Sequence, residues 1–323
     1  MQILRSVPDA ASSPVALTIG NFDGVHLGHQ AMLARLRAAA SIRGLPACVM
    51  TFEPHPREFF APDQAPVRLT TLREKCALLS HCGVDRVQVC RFNFALAQVT
   101  AQEFIERLLV RGLGVRWLQV GDDFRFGARR AGDLAMLKEF SARCGYEVET
   151  MPTVMLDGVR VSSTAVRDAL AAGEVARAAR LLGRPYGISG RVVKGDRLGR
   201  KLGFPTANVQ MRHNRPPLSG IFAVEFHRAD GQLLRGVASL GVRPTVKARG
   251  AAPVLEVYLF DFSAEIYGEQ VRVEFLHKFR DEAKYVDVDT LQRQIAQDVA
   301  DAKKFFAGRD AQAAGLREAN RTQ

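Results

Sequence analysis

The first half of the chain alternates short apolar runs with longer stretches in which apolar residues recur every three or four positions. The runs cover 14–19, 47–52, 86–90 and 117–120, and the periodic stretches cover 29–43, 72–81, 101–111 and 132–144. Short runs read as strands, and the three-to-four spacing is that of amphipathic helices. Strands alternating with helices predict βαβ units and an α/β domain, a Rossmann-like doubly wound parallel sheet, over residues 1–184. Ligands of such sheets bind beyond the carboxyl ends of the strands, which singles out the turn after Ile19 and the loop after Val120.

After Gly183-Arg184-Pro185 the texture changes. Strand-like segments at 186–193, 206–209, 221–227, 233–240, 255–260 and 271–279 follow one another without helices between them. Close spacing with glycine and proline punctuation predicts a small antiparallel six-stranded β-barrel over 185–307. A last helix over 288–306 carries Leu291, Ile295, Val299, Ala302 and Phe306 on one face, which should pack on the barrel. Residues 308–323 are polar and small and read as a frayed tail. No internal repeat is visible.

Length and composition agree with this division. A chain of 323 residues exceeds what one core usually organises, and 47% apolar with 24% charged residues is an ordinary globular composition. No apolar run approaches membrane-spanning length, and the start Met1-Gln2-Ile3-Leu4-Arg5-Ser6-Val7-Pro8 has no signal-peptide core, so a cytoplasmic protein with no membrane partner is expected. The five cysteines (Cys48, Cys76, Cys82, Cys90, Cys144) are odd in number and irregularly spaced, which fits reduced core thiols and offers no good nucleophile. A net charge of +11 invites a nucleic-acid reading, but the positive residues are spread and no aromatics are interleaved with them. Small anionic substrates are the better inference, with no nucleic acid; an oligomer is compatible with the sequence.

The chemistry concentrates in a few segments. Gly20-Asn21-Phe22-Asp23-Gly24-Val25-His26-Leu27-Gly28-His29 lies between the first long strand and the first helix. Free backbone N–H groups, a helix dipole and small glycines at such a turn accommodate phosphate, and His26 and His29 can donate to the same oxygens. Metal binding is the rival reading, but no cysteine pair or His-Glu-x-x-His accompanies the histidines. A second helix start, Ser162-Ser163-Thr164-Ala165-Val166-Arg167, precedes a helix read as 165–172, so hydroxyls and an arginine meet free N–H groups again. An arginine in a first turn opposes the helix dipole unless an anion is present.

The decapeptide Gly-x-Phe-Asp-Gly-x-His-x-Gly-His resembles the nucleotide motif of the adenylyltransferase superfamily, in the version of bacterial bifunctional flavin synthetases. The resemblance implies that His26 and His29 stabilise the α-phosphate of ATP as pyrophosphate leaves, with Gly20, Phe22, Asp23 and Gly28 as ATP contacts. Ser-Ser-Thr-x-x-Arg resembles the superfamily's second motif, which implies that Ser163, Thr164 and Arg167 hold the β and γ phosphates. In Gly121-Asp122-Asp123-Phe124-Arg125-Phe126-Gly127, Asp123 stands where related flavin synthetases carry Asn or Asp, implying contact with nucleotide or flavin; a turn is the plain reading. Phe52-Glu53-Pro54-His55-Pro56 matches the family on the flavin side, with His55 and Pro56 as contacts, and reads equally well as a rigid proline turn.

The barrel opens with the basic glycine loop Lys194-Gly195-Asp196-Arg197-Leu198-Gly199-Arg200-Lys201, which is phosphate-friendly but is no Walker A motif. It leads into Gly203-Phe204-Pro205-Thr206-Ala207-Asn208, which resembles the Pro-Thr-Ala-Asn signature of riboflavin kinases. That resemblance implies Mg-ATP bound by Thr206 and Asn208, which serve Mg²⁺, with Gly195, Gly199 and Lys201 as ATP contacts. Strand alternation puts Glu256 on the face of Tyr258 and Phe260, where a partly desolvated carboxylate is a stronger base. It matches the family's catalytic glutamate; alone, it would read as a solvent-facing side chain. Arg243-Pro244-Thr245 and the segment 275–284 extend the resemblance, the latter as a flavin-covering segment with Arg280 and Asp281. Ser239-Leu240-Gly241 stands where related kinases carry Asn-Ile-Gly.

Over residues 13–307 the chain thus resembles the bacterial bifunctional riboflavin kinase/FMN adenylyltransferases. The implied activity is phosphorylation of riboflavin to FMN by ATP, then adenylylation of FMN to FAD, with Mg²⁺ as cofactor and ATP, riboflavin and FMN as substrates. The alternatives are a class I synthetase-type enzyme with the barrel as an RNA-binding appendage, for which Lys-Met-Ser-Lys-Ser is absent, and a non-catalytic flavin-binding protein.

Overall fold

The protein is described by a computed structural model that covers all residues except 196–198, 200–201, 213–214, 243–252 and 322–323. It packs into two compact units, Met1–Ala165 and Val166–Gln323.

The first unit is built on six strands: β1 (Gln2–Leu4), β2 (Val15–Ile19), β3 (Ala47–Glu53), β4 (Arg86–Arg91), β5 (Val115–Gly121) and β6 (Glu147–Met151). They lie in the order β1-β4-β3-β2-β5-β6 and every pair is parallel. Two cores, one on each face, explain the uninterrupted apolar runs. On one face Leu17, Met50 and Leu118 meet Ile105, Leu109 and Leu137; on the other Ala16, Val49 and Trp117 meet Leu33, Leu36 and Leu79. The predicted doubly wound sheet is therefore present. Sequence periodicity missed only the edges: β1 is three mostly exposed residues and β6 is half-buried and polar, so neither needs an apolar run. Strand order reverses between β2 and β5, and the crevice at that switch point is the ligand position of open α/β sheets.

The helices that cover this sheet are capped as their sequences direct. Helix α1 (Leu27–Arg43) starts two residues before its predicted start, because His26 serves as its N-cap, and it stops at Gly44 in the left-handed region (φ 62°). Short α2 (Pro56–Phe60) is capped by His55. In α3 (Leu72–His81) Thr71 and Glu74 form a capping box. Helix α4 is Phe94–Ala97, and α5 (Ala101–Glu103) continues as a wider-wound segment over Phe104–Gly112, from which Leu113 N bonds back five residues to Leu108 O at 3.0 Å. Helix α6 (Leu134–Cys144) is followed by β6 and by a hairpin of β7 (Met155–Leu156) and β8 (Val159–Arg160).

Helix α7 (Ser163–Ala171) begins in the first unit and ends in the second, where α8 (Val175–Leu182) packs against two barrel strands. The barrel comprises β9 (Tyr186–Val193), β10 (Thr206–Met211), β11 (Gly220–His227), β12 (Leu233–Val242), β13 (Pro253–Leu259) and β14 (Gln270–Arg280). It closes in the order β10-β13-β12-β11-β14-β9, antiparallel throughout, as the strand spacing predicts. Phe222, Val224, Phe226, Val257, Val273 and Phe275 fill its interior. Outside, Ile221, Ala223 and Val237 receive Ala302 and Phe306 of the C-terminal helix. That helix runs from Val288 to Arg321, not to Phe306. Its last part is rich in Ala, Arg, Glu and Gln, which are strong helix formers, and a single Gly308 costs about 1 kcal/mol, too little to stop it.

Candidate functional site

The nucleotide turn is pinned from below. Phe22 and Val25 hold left-handed backbone (φ 49° and 41°), a strain that persists only where the surroundings enforce it. Phe22 is fully buried, so its side chain belongs to the core. The Asp23 carboxylate, 6% exposed, accepts from Leu69 N, Thr70 N and Thr70 Oγ1 at 3.0–3.1 Å, while Gly24 N donates to Thr70 Oγ1 at 3.1 Å. The contribution of Asp23 is thus to fix the turn's shape. Gly20 and Gly28 are close approaches: a Cβ at 20 would lie 3.1 Å from the Phe22 ring, and one at 28 would lie 3.1 Å from the His26 ring.

The two histidines form one unit. His26 Nδ1 accepts from His29 N at 3.3 Å, and their rings stack at 3.7 Å between centroids, 19° apart. Burial, then the neighbouring His26, then Lys75 hold the His29 imidazole well below its ordinary pKa, so it is neutral near pH 7. A neutral imidazole at a helix start is a donor through one nitrogen only.

Helix α7 meets this turn at its first residue. Ser163 Oγ donates to Asp23 O at 2.9 Å, and Ser162 Oγ caps the helix by accepting from Ala165 N at 3.1 Å. The helix therefore starts at Ser163, two residues before its predicted start at 165. Arg167 falls in the second turn, outside the strong part of the dipole, so its position, unlike that expected from a start at 165, does not call for an anion. Thr164 is exposed in the first turn.

Three other predicted residues are placed at the surface of this unit. Asp123 is exposed and pairs with Arg160 at 3.0 Å. His55 Nδ1 accepts from Arg57 N, and Pro56 is the first residue of α2, so both serve the helix cap that the proline-turn reading describes. Beside them Arg68 bridges Glu53 and Glu58 and holds the Glu58 carboxyl below the usual range. The cysteines are free, and burial pushes the Cys48 and Cys90 thiols up to about 12, which leaves them inert at neutral pH.

On the barrel, strand register assembles the predicted kinase residues. Asn208 pairs with Glu256 and Thr206 with Tyr258, so the four share one half-buried outer face of β10 and β13. Tyr258 meets Phe204 edge-on at 5.5 Å. Gly195 and Gly199 lie against this face: a Cβ at 195 would sit 2.5 Å from the Asn208 amide, and one at 199 would sit 2.4 Å from Phe204 O and 3.3 Å from Thr206 Oγ1. Lys201, Arg243, Pro244 and Thr245 lie outside the described residues. Thr206 Oγ1, the Asn208 amide and the Glu256 carboxylate are hard oxygen donors on one face, which fits Mg²⁺.

Ser239 pairs with Glu256 on the next strand and donates to Glu282 at 2.9 Å. A Cβ at Gly241 would overlap the Glu282 carboxylate, so Glu282 covers this edge of the face; its sequence signal was only its neighbourhood to Arg280 and Asp281. Arg280 makes a two-pronged pair with Asp298 of the C-terminal helix at 2.9 and 2.6 Å, and Asp281 is exposed beside Lys278 at 2.6 Å. Among the described residues one further group has metal-ligand chemistry, Glu225, His227 and Glu274 within 4.8 Å of one another. Arg309 pairs with Glu225 and Arg272 with Glu274, which makes it an ion-pair network. Sequence reasoning also missed Thr70, Arg68 and Lys75, which no motif marks.

Comparison with known proteins agrees with this geometry. The family model for FAD synthetase matches residues 9–165 and that for riboflavin kinase matches 182–306. The chain is 51% identical to the bifunctional riboflavin kinase/FMN adenylyltransferase of Pseudomonas fluorescens (90% of this chain, 92% of the relative) and 48% identical to that of Escherichia coli (95% and 98%). The crystal structure of the macrolide-efflux protein from Streptococcus pneumoniae has the same architecture, with a TM-score of 0.79 and 31% identity over 92% of this chain and 96% of that one. No helix among the described residues is long and apolar enough to cross a membrane. With both halves matched in order and nearly the full length of its relatives covered, the chain belongs to the family of bifunctional riboflavin kinase/FMN adenylyltransferases.

Proposed function

We propose that the two reactions of this family, phosphorylation of riboflavin to FMN by ATP and adenylylation of FMN to FAD with release of pyrophosphate, run at two separate sites of this chain. Adenylylation takes place at the His26–His29 turn and phosphorylation on the Thr206, Asn208 and Glu256 face. The observation that carries this division is register: the Pro-Thr-Ala-Asn strand and the glutamate strand are hydrogen-bonded neighbours with Asn208 opposite Glu256, while His26, stacked on His29, caps a helix at the switch point of a different sheet.

At the first site the start of α1 and the Ser163 helix start offer N–H groups and hydroxyls to the triphosphate, with Thr164 and Arg167 on the same helix and Gly20, Phe22 and Gly28 lining the backbone approach. His26 and His29 stabilise charge developing at the α-phosphate as the FMN phosphate attacks it. Asp123, His55 and Pro56 stand on the flavin side. At the second site Glu256 accepts the proton of the ribityl hydroxyl, and Gly195, Gly199 and Lys201 approach the ATP phosphates. Thr206 and Asn208 would hold Mg²⁺, which supplies neutralisation of phosphate charge. Arg280 and Asp281 belong to the segment that covers the flavin.

We assign 1–184 to adenylylation, 185–307 to phosphorylation and no chemistry to 308–323, in a cytoplasmic enzyme of small-molecule substrates that binds neither nucleic acid nor membrane. Purified protein incubated with riboflavin and Mg-ATP should yield FMN and then FAD on chromatography, and residues 185–307 alone should yield FMN. His29→Ala should lower FAD formation at least about a hundredfold, the typical loss of one preorganised donor, with riboflavin phosphorylation near normal. Equal loss of both activities would overturn the two-site assignment.

A further inference from the structure

Three consecutive residues join the two loops that open over the carboxyl edge of the first sheet. The nucleotide turn follows β2, and α2 with its His55 cap follows β3, the parallel strand beside it. Ligands of such sheets bind beyond that edge. Residues 68–70 lead the chain from α2 toward α3 and bond to both loops on the way. On the α2 side, Arg68 Nη2 meets Glu53 Oε1, at the end of β3, at 2.7 Å, and Nε and Nη2 donate to the two carboxylate oxygens of Glu58 within α2. Glu58 Oε2 also accepts from His55 N at 3.1 Å, so the cap hangs on the same carboxylate. On the turn side, Leu69 N and Thr70 N donate to Asp23 at 3.0–3.1 Å, and Thr70 Oγ1 donates to Asp23 and accepts from Gly24 N. Leu69, which stands between Arg68 and Thr70, is fully buried and anchors the segment.

The Arg68 cluster contributes geometry more than stability. The side chains of Arg68, Glu53 and Glu58 are only 31%, 29% and 22% exposed, and at such burial the cost of desolvating charges offsets much of their attraction. What remains is direction. A planar guanidinium takes the two oxygens of one carboxylate in a single arrangement, so the Arg68 fork sets both the distance and the angle of α2. A lysine there would keep the charge and lose the angle.

We propose that Arg68 is a positioning residue for adenylyl transfer: through Glu58 it holds α2 and the His55 cap in one place relative to the nucleotide turn, and so fixes where the FMN phosphate stands when it attacks. This rests on the proposed reaction at the turn and on the flavin-side place of His55 and Pro56. Arg68 touches neither substrate; it acts through Glu58 on one loop while the next two residues hold the other. Reacting groups gain rate from such alignment, and a shift of about 1 Å from a change far from the chemistry costs on the order of a hundredfold.

The test is steady-state kinetics of the full-length enzyme with FMN and ATP varied separately, alongside thermal unfolding. Arg68→Lys should lower kcat for FAD formation about ten- to a hundredfold and raise KM for FMN. KM for ATP should change less than about twofold, with Tm and riboflavin phosphorylation close to the parent. Glu58→Gln, which opens the same fork from its other side, should do likewise, and it carries the test if the Lys variant does not fold. The two changes together should cost no more than the larger single loss, as for two halves of one contact. A Lys variant with the parental kcat and KM for FMN overturns the proposal. So does a loss of kcat that comes with a fallen Tm and an unchanged KM for FMN, the mark of a structural tie, and so do losses that add in the double variant. Failure of the adenylylation reading is distinct, because there His29→Ala leaves FAD formation intact.

Discussion

Ser163 Oγ donates to the backbone carbonyl of Asp23 at 2.9 Å, across 140 residues of sequence. The bond joins the start of one helix to the turn that precedes another, so the two motifs share a geometry that neither sets alone. Ser163→Ala should cost about 1 kcal/mol of stability, the ordinary worth of such a bond, and lower FAD formation while riboflavin phosphorylation is unchanged. Steady-state assays with FMN and with riboflavin as separate substrates check it. Unchanged FAD formation would mean the turn holds its shape without the tie.

His29 gives the first unit a pH dependence of definite sign. Its folded-state pKa is depressed by burial, His26 and Lys75, whereas the unfolded chain protonates it near 6.5. The unfolded state therefore binds more protons below that pH, so stability is full above about 6.5 and falls as pH drops, by up to about 1.4 kcal/mol per unit from this one group. Replacing His29 with Gln removes this contribution. The fall in Tm between pH 7 and pH 5 should be smaller in His29→Gln than in the parent; equal falls would show that the imidazole is not buried neutral.

Gly195 tests the second site through shape. A Cβ there would lie 2.5 Å from Cγ, Nδ2 and Oδ1 of Asn208, and the Asn208 side chain is short and rooted on a strand. Gly195→Ala should therefore displace the Asn208 amide and lower riboflavin phosphorylation at least about tenfold, with adenylylation of supplied FMN intact. Parallel assays with the two flavins decide it. A variant of parental kinase activity would show that the amide need not stand where it does.

Glu256→Gln keeps size and hydrogen-bonding shape but removes the base. FMN formation should fall about a hundredfold to ten-thousandfold, the range of general-base catalysis, while FAD formation from FMN continues. If riboflavin is converted at close to the parental rate, the hydroxyl needs no base from this residue.

What the sequence determined by itself was everything that depends on local pattern. Alternating runs and periods specified a doubly wound sheet followed by a closed barrel, because burial on both sheet faces and on one barrel face leaves its period in the chain. The histidine pair, Thr206 and Asn208 stood out as candidates because their spacing is itself the motif, whereas Glu256 was marked only by its strand face and by resemblance. Tertiary structure decided what depends on partners distant in sequence. Asp23 turned inward because Leu69 N, Thr70 N and the Thr70 hydroxyl donate to it, so a residue read as an ATP contact also fixes the shape of the turn. His55 and Pro56 became a helix cap, and Arg280 found Asp298, through contacts that no spacing announces. Lys75 was invisible for the same reason: on an amphipathic helix it reads as a solvated charge, and only the packing of α3 against the strand that carries Thr51 removes it from water.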